Sequence, residues 1–120
     1  MTQWIADYYS VVDQLNIAAL AAASSPDIKV TFGNNPPTEG FEALAANLGG
    51  LWGMLDGMSH NAVRLWEIPG TGWGGIEAQI EYVRKDGAVV NIPNMSTIHR
   101  DANGKIDVLN AYVDMAPLFS

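Results

Sequence analysis

Four strand-like segments in the second half of the chain most constrain what it can fold into. They cover residues 60–68, 76–84, 89–100 and 106–115. The segments are separated by the turn sequences Pro-Gly-Thr-Gly, Lys-Asp-Gly and Asp-Ala-Asn-Gly. Because Gly and Asn accept the backbone angles of tight hairpins, consecutive segments can reverse direction within a few residues. The sequence therefore predicts an antiparallel meander of four strands.

The first half of the chain has the pattern of helices. Apolar residues recur at helical spacing over residues 4–15, 17–23 and 41–55, and a short strand is predicted at 28–32. Helices first and a meander last are typical of an α+β fold. We predict a single domain over residues 1–120, with the N-terminal helices packed on one face of a strongly curved antiparallel sheet.

Apolar side chains occur on both faces of the predicted sheet. The second segment of the meander alternates Ile76, Ala78, Ile80 and Tyr82 with Glu77, Gln79, Glu81 and Val83. Helices that pack on one face of the sheet leave the other face uncovered, and an uncovered apolar face is usually buried against another chain. We therefore predict a homodimer that is joined through the outer face of the sheet.

The balance of charges argues against two classes of partner. The chain has 13 acidic and 6 basic residues and a net charge of -7, which repels nucleic acid phosphates and anionic membrane surfaces. The N-terminus lacks a basic stretch followed by an apolar core, and no apolar window is long enough to span a membrane. We expect a soluble, cytoplasmic protein that binds neither nucleic acid nor membranes.

Metal-ligating residues are few. The absence of cysteine excludes disulfides, thiolate ligands and a thiolate nucleophile. His60 and His99 are far apart and lack carboxylates at ligand spacing, so we expect no metal and no cofactor. We expect His99, which adjoins Arg100 and Asp101 at a strand end, to be exposed to solvent.

Some residues suit chemistry in a pocket. His60 is the best candidate for a general acid or base, because imidazole titrates near neutral pH, although it could instead bond a neighbouring backbone group. Asn94 and Ser96 are polar residues two apart on an otherwise apolar strand, and a ligand could supply the hydrogen bonds that they need. Trp52 and Trp66 could wall a cavity, although aromatic residues at such spacing are more often plain core.

Several sequence strings, in this order and spacing, resemble one family. They are VTFGNNPPTEG at 30–40, GMSH at 57–60, YVRKDG at 82–87 with Ile-Pro at 92–93, and GKI at 104–106 with YVDMAPLF at 112–119. Along nearly its whole length the chain resembles the SnoaL-like branch of the nuclear transport factor 2-like superfamily. The resemblance implies a cone-shaped α+β fold with a pocket between helices and curved sheet that holds a small, largely apolar molecule.

The first of these strings also resembles the limonene-type epoxide hydrolases. Their Tyr-x-Asn motif falls on residues 32–34, with Phe32 in place of the tyrosine. The resemblance implies that Asn34 points into the pocket and orients water or a ligand oxygen. Because consecutive strand residues point to opposite faces, Asn35 is then expected to face solvent.

The remaining hydrolase residues match less well. The resemblance places an Arg-x-Asp pair on Gln79 and Glu81, and an aspartate base on Ala111. Alanine cannot accept a proton, so epoxide hydrolysis of this type is not expected. Glu81 could still act as a general acid or base if it faces the pocket, or it could lie on a solvated strand face.

Two other reactions of the superfamily are also incompletely supported. Resemblance to ketosteroid isomerases places their tyrosine on Tyr8, but their two carboxylates fall near Phe32 and Ser96. Polyketide cyclases use an acidic residue of the last strand, where Asp114 lies three positions from Ala111. Strand alternation puts these two on opposite faces, so the role of Asp114 stays open.

Three hypotheses therefore remain from the sequence. The first is a SnoaL-like protein that binds a small, largely apolar ligand without a defined reaction. The second is an enzyme of the cyclase, isomerase or hydrolase type that uses Glu81 or His60 as general acid or base. The third is a homodimeric scaffold whose cavity is residual core.

Overall fold

The computed structural model describes residues 1–120. The helices are α1 (Gln3–Val12), α2 (Ile17–Ala23) and α3 (Phe41–Trp52). The strands are β1 (Ser24–Phe32), β2 (Thr38–Glu39), β3 (Leu55–Glu67), β4 (Trp73–Arg84), β5 (Val89–Arg100) and β6 (Ile106–Val113), and a 3₁₀ helix (Ala116–Phe119) follows β6. None of the helices combines the length and the apolar character that a membrane-spanning helix needs.

Local sequence explains where the second and third helices begin and end. The Asn16 side chain accepts a hydrogen bond from the Ala19 backbone N–H at 3.1 Å, which satisfies a donor at the start of α2. The third helix ends at Trp52, earlier than its apolar pattern predicts, because Gly49 and Gly53 weaken its last turns. The chain therefore enters β3 at Leu55, five residues before the predicted strand.

The six strands form one sheet in the order β2-β1-β6-β5-β4-β3. The predicted antiparallel meander is confirmed, since β3, β4, β5 and β6 pair in sequence. The first strand, however, runs parallel to β6 and places Phe32 opposite Ala111. The sheet is therefore mixed, because a connection as long as the one between β1 and β6 allows a parallel pair.

One face of the sheet packs against the helices, and this confirms the predicted α+β fold. Residues Ile76, Ala78, Ile80 and Tyr82 of β4 are buried in the same apolar core as residues of all three helices. Because strand side chains alternate, the residues between them point to the outer face of the sheet.

The outer face carries its own aromatic packing. Trp66 lies opposite Gly75 in the β3–β4 pair, and a Cβ atom on Gly75 would overlap the Trp66 ring. The indole therefore covers the glycine. Met95 and Tyr112 are neighbours across β5 and β6 on this face and are 44% and 61% exposed.

Candidate functional site

A cavity of about 510 Å³ lies between the helices and the inner face of the sheet, and we call it the main cavity. Most of its walls are apolar, and among them are Val12, Leu48, Met58, Leu109 and Val113. The polar residues that line it are Asn35, Thr38, Asn47, His60, Asn94 and Ser96, together with Tyr8, Tyr9 and Tyr82. Its size and composition are those of a small-molecule site.

His60, in the wall of the main cavity, is paired with an aspartate that lies outside the cavity lining. His60 points inward from β3, and Asp13 follows the last turn of α1, which packs on that strand. The imidazole Nδ1 lies 2.6 Å from Asp13 Oδ1, and the His60 backbone N–H donates to Asp13 Oδ2 at 2.8 Å. The side chains are 7% and 21% exposed respectively, so the pair is largely shielded from solvent.

The pairing assigns the tautomer of His60. A carboxylate can only accept, so Nδ1 carries the proton that is shared with Asp13, and Nε2 is left with its lone pair. The Nε2 atom forms no hydrogen bond within the chain. The structure therefore leaves the Nε2 lone pair without a partner in the chain.

Tyr9 packs against this pair. Its ring centroid lies 4.7 Å from that of His60, and its buried hydroxyl has no hydrogen-bond partner. Burial, with the charge of Asp13 and interaction with the Tyr8 hydroxyl as smaller causes, raises the pKa of Tyr9 well above its ordinary value. The nearby Ser96 hydroxyl opposes this pKa shift, although no hydrogen bond of ordinary geometry joins the two hydroxyls.

The other hydroxyls of the main cavity are also held in the neutral form. Burial raises the pKa of Tyr8 to about 12, partly opposed by its 2.9 Å hydrogen bond with Ser24. Burial, with the charge of Asp13 as a smaller cause, raises the pKa of Tyr82 to about 12. The Tyr82 hydroxyl donates to Met115 Sδ at 3.6 Å, a weak acceptor. These hydroxyls therefore remain donors at neutral pH.

Asn94 and Ser96 form a second polar group on the sheet side of the cavity. Both are buried, and Asn94 Nδ2 donates to Ser96 Oγ at 3.1 Å. Their spacing of two places them on the same face of β5, as the sequence predicts. One further polar atom, the Trp52 indole N–H, is buried without a partner in the helix wall.

The structure brings many of the predicted site residues together. Those that line the main cavity are Tyr8, Phe32, Trp52, His60, Asn94, Ser96 and Ala111. Asp13 and Tyr9 were not predicted as site residues. An acidic residue four positions after Tyr9, on the same helical face, is the sequence signal that could have identified the carboxylate.

The predicted orientation of the two asparagines is wrong. Asn35 lines the main cavity and Asn34 does not. The strand geometry ends at Phe32, because Gly33 adopts a φ of 54° and the Asn35 N–H donates to the Phe32 carbonyl at 3.0 Å. A turn with this geometry removes the alternation on which the prediction depended.

Gln79 and Glu81 lie outside the main cavity. They alternate with the buried Ile80 and Tyr82 on β4, so they point to the outer face. Glu81 pairs there with Ser59 across the β3–β4 ladder. A pocket role for either residue is therefore contradicted by the side of the sheet that each occupies.

Three further residues serve the fold. Trp66 covers Gly75 on the outer face and does not wall the main cavity. The Asp114 carboxylate accepts from the Ala116 N–H at 3.0 Å and so begins the 3₁₀ helix. His99 is partly buried, contrary to its expected exposure: its ring centroid lies 4.9 Å from that of Trp73, and its Nδ1 lies 2.6 Å from Asp107 Oδ1.

No family model and no curated protein matches the sequence. One similar structure, from Shewanella denitrificans OS-217, is described as a SnoaL-like polyketide cyclase. It is 11% identical to this chain with a TM-score of 0.84, and the alignment covers 98% of this chain and 92% of the Shewanella protein. A Catenulispora acidiphila protein of ketosteroid isomerase-like fold, in complex with trimethylamine, is 12% identical with a TM-score of 0.79 and covers 95% and 87%.

A third similar structure is TerC co-crystallised with polyporic acid. It is 14% identical with a TM-score of 0.78, and the alignment covers 98% of this chain and 93% of TerC. These identities are too low to assign a reaction, but the agreement extends over the whole fold. The chain therefore has the curved-sheet α+β fold of SnoaL-like and other nuclear transport factor 2-like proteins.

Proposed function

We propose that this protein binds a small, neutral, largely apolar molecule in the main cavity and exchanges a proton with it through His60. The observation that carries the proposal is the 2.6 Å contact that Asp13 Oδ1 makes with Nδ1 of His60, a residue that lines the largely apolar main cavity. A carboxylate on Nδ1 orients the ring and stabilises the imidazolium that forms when Nε2 accepts a proton.

The charges around the main cavity favour a neutral ligand. No Asp, Glu, Lys or Arg side chain lines it, so neither an anionic nor a cationic group would find an opposite charge on its walls. The net charge of -7 also disfavours anions. Two proteins of the same fold were crystallised with small molecules, polyporic acid and trimethylamine, which supports a small-molecule role for this cavity.

The polar groups near His60 suit proton transfer next to a carbonyl group. Removal of a proton from the carbon beside a carbonyl places negative charge on the carbonyl oxygen, and preorganised donors stabilise that charge. The Tyr9 hydroxyl and the Asn94 amide are donors in the same cavity. The reaction class that follows is an isomerisation or ring closure, with His60 as general base and then general acid.

Deuterium incorporation tests this proposal with whichever small molecule the protein retains. Molecules that stay bound to the purified protein are identified by mass spectrometry and then incubated with the protein in D₂O. The wild-type protein should introduce deuterium at carbon, and His60→Gln should bind the same molecule without introducing any. Glu81→Gln, on the outer face, is the matched control and should behave as wild type. Equal labelling by His60→Gln and wild type would refute the role of His60.

A non-catalytic binding protein is the second candidate. It is favoured by the Asn94–Ser96 pair, which could satisfy a ligand's polar atoms without chemistry, and by Ala111, which offers no second acid or base across the cavity. In that case a bound molecule is recovered, but neither the wild type nor His60→Gln introduces deuterium.

We also propose that two copies associate through the outer face of the sheet. The exposed Met95 and Tyr112 support this assembly, since they form a contiguous apolar pair on that face. A single domain and a cytoplasmic location stay predictions from the sequence.

A further inference from the structure

A second, smaller cavity adjoins the His60–Asp13 pair, and we call it the rear cleft. Its volume is about 190 Å³, and Ser10, Asp13 and Ala62 are among the residues that line it from α1 and β3. His60 and Tyr9 line both cavities, whereas Asp13 lines the rear cleft alone. The imidazole and the Tyr9 ring therefore form a wall between the two spaces.

We propose that the rear cleft binds water and exchanges protons between the His60–Asp13 pair and bulk solvent while a ligand fills the main cavity. This inference rests on the proposed role of His60 in proton transfer. In each exchange, water in the rear cleft takes the Nδ1 proton and returns another, so only N–H and O–H bonds break and form. Protons can then pass between the pair and solvent even when the main cavity is occupied.

The rear cleft meets the requirements of a water site. A water needs roughly 10–15 Å³ of accessible space and two to four polar partners. Each Asp13 oxygen already accepts one hydrogen bond from His60 and retains capacity for another. The Ser10 hydroxyl forms no hydrogen bond within the chain, and Ser10 and Ala62 are both exposed, so the cleft opens to solvent beside them.

The main cavity offers no equivalent route once it is filled. An apolar ligand displaces water there, and no Asp, Glu, Lys or Arg lines the walls. The Tyr8 and Tyr82 hydroxyls, with a pKa of about 12, hold their protons at neutral pH, and burial raises the pKa of Tyr9 as well. Asp13 is thus the one acidic residue that lines either cavity, and it lies in the rear cleft beside the imidazole.

Nuclear magnetic resonance of the ring N–H protons tests the proposal directly. The neutral fluorophore N-phenyl-1-naphthylamine serves as the probe that fills the main cavity, and exchange of the His60 Nδ1 proton with water is measured with and without it. In the wild-type protein we expect the exchange rate of the His60 Nδ1 proton to change little when the probe fills the main cavity. In Ala62→Leu, which narrows the rear cleft, the rate should fall about tenfold, because exchange then requires local opening of the structure.

Two controls make the result specific. His99 Nδ1 lies at the same 2.6 Å from Asp107 and away from both cavities, so its exchange rate should be unchanged in Ala62→Leu. Ala102→Leu, in an exposed turn, should leave the exchange rates of both histidines as in wild type.

If Ala62→Leu unfolds, Ala6→Val narrows the rear cleft from the α1 side. Loss of His60 exchange when the probe fills the wild-type protein, or an unchanged rate in both cleft variants, would overturn the proposal.

These measurements require no turnover. A rear-cleft exchange path without deuterium incorporation at carbon would refute the reaction and keep the water site. Deuterium incorporation at carbon, together with a His60 exchange rate that the cleft variants do not change, would support the reaction and refute the water site.

Discussion

His60 and Asp13 are joined by two hydrogen bonds although 47 positions separate them in the sequence. One comes from the His60 backbone and one from its ring, so the carboxylate is anchored to β3 independently of the imidazole. A change of the ring should therefore leave Asp13 in position. This arrangement makes it feasible to separate the chemical role of each partner from its structural role.

Asp13→Asn should lower deuterium incorporation about 10²–10⁴-fold, because an amide does not stabilise the imidazolium. Binding of the identified ligand, measured by calorimetry, should change little, since Asp13 does not line the main cavity. Asp107→Asn is the matched control, because it disrupts the other histidine–aspartate pair far from the site. Equal activity in both variants would contradict the assignment.

Ser96→Ala should destabilise the protein by about 1–3 kcal/mol, because it removes the partner of the buried Asn94 amide. Urea unfolding followed by circular dichroism measures this loss. The double variant Asn94→Leu with Ser96→Ala should recover part of the stability, since neither polar group then remains. A double variant less stable than Ser96→Ala alone would show that Asn94 is satisfied by other groups.

Ala111→Leu should block ligand binding. Ala111 is buried, lines the main cavity and lies opposite both Phe32 and Ser96, so a larger side chain projects into the ligand volume. Overpacking costs about 1–3 kcal/mol, which urea unfolding reports separately from calorimetric affinity. Ala102→Leu is the control for the added apolar bulk. A variant that folds and binds as tightly as wild type would place the ligand elsewhere.

Stability should decrease above pH 10, and Tyr82→Phe should make that decrease shallower. The pKa of Tyr82 is raised to about 12 in the folded protein against about 10 in an unfolded chain. Below pH 10 the Tyr82 hydroxyl keeps its proton in both the folded and the unfolded state, so its contribution to the free energy of unfolding is fully present. Between pH 10 and 12 the unfolded state ionises first, and stability falls by up to about 1.4 kcal/mol per pH unit for this group.

Urea unfolding from pH 8 to 11.5 measures this dependence. The same slope in Tyr82→Phe and the wild type would show that the Tyr82 hydroxyl is not desolvated in solution.

Met95→Lys should convert the proposed homodimer into monomers, because a buried unpaired ammonium is strongly unfavourable at an interface. A stable interface on the outer face would bury about 1,200–2,000 Å² in total. Light scattering at micromolar concentration measures the mass. Ile68→Lys places the same charge on an exposed apolar residue in the turn after β3 and should remain dimeric. A wild-type protein that scatters as a monomer would refute the assembly.

The order of elements and the local spacing of side chains were determined by the sequence. Short turns between strand segments leave hairpins as the favoured connection, so the meander follows from local chemistry. Asn94 and Ser96 share a face because strands repeat every two residues, whatever the rest of the fold does. The apolar helices and the alternating strands together predict an α+β fold.

The tertiary structure decided which residues form the site. A two-residue repeat puts Glu81 on the strand face opposite Ile80 and Tyr82, but it does not tell where the pocket lies. The helices dock on the face of Ile80 and Tyr82 and enclose the main cavity there, which leaves Glu81 outside. The turn at Gly33 cancels the alternation that selected Asn34 over Asn35. The contact between Asp13 and His60 arises only when α1 docks on β3, because no local rule couples residues so far apart in the chain.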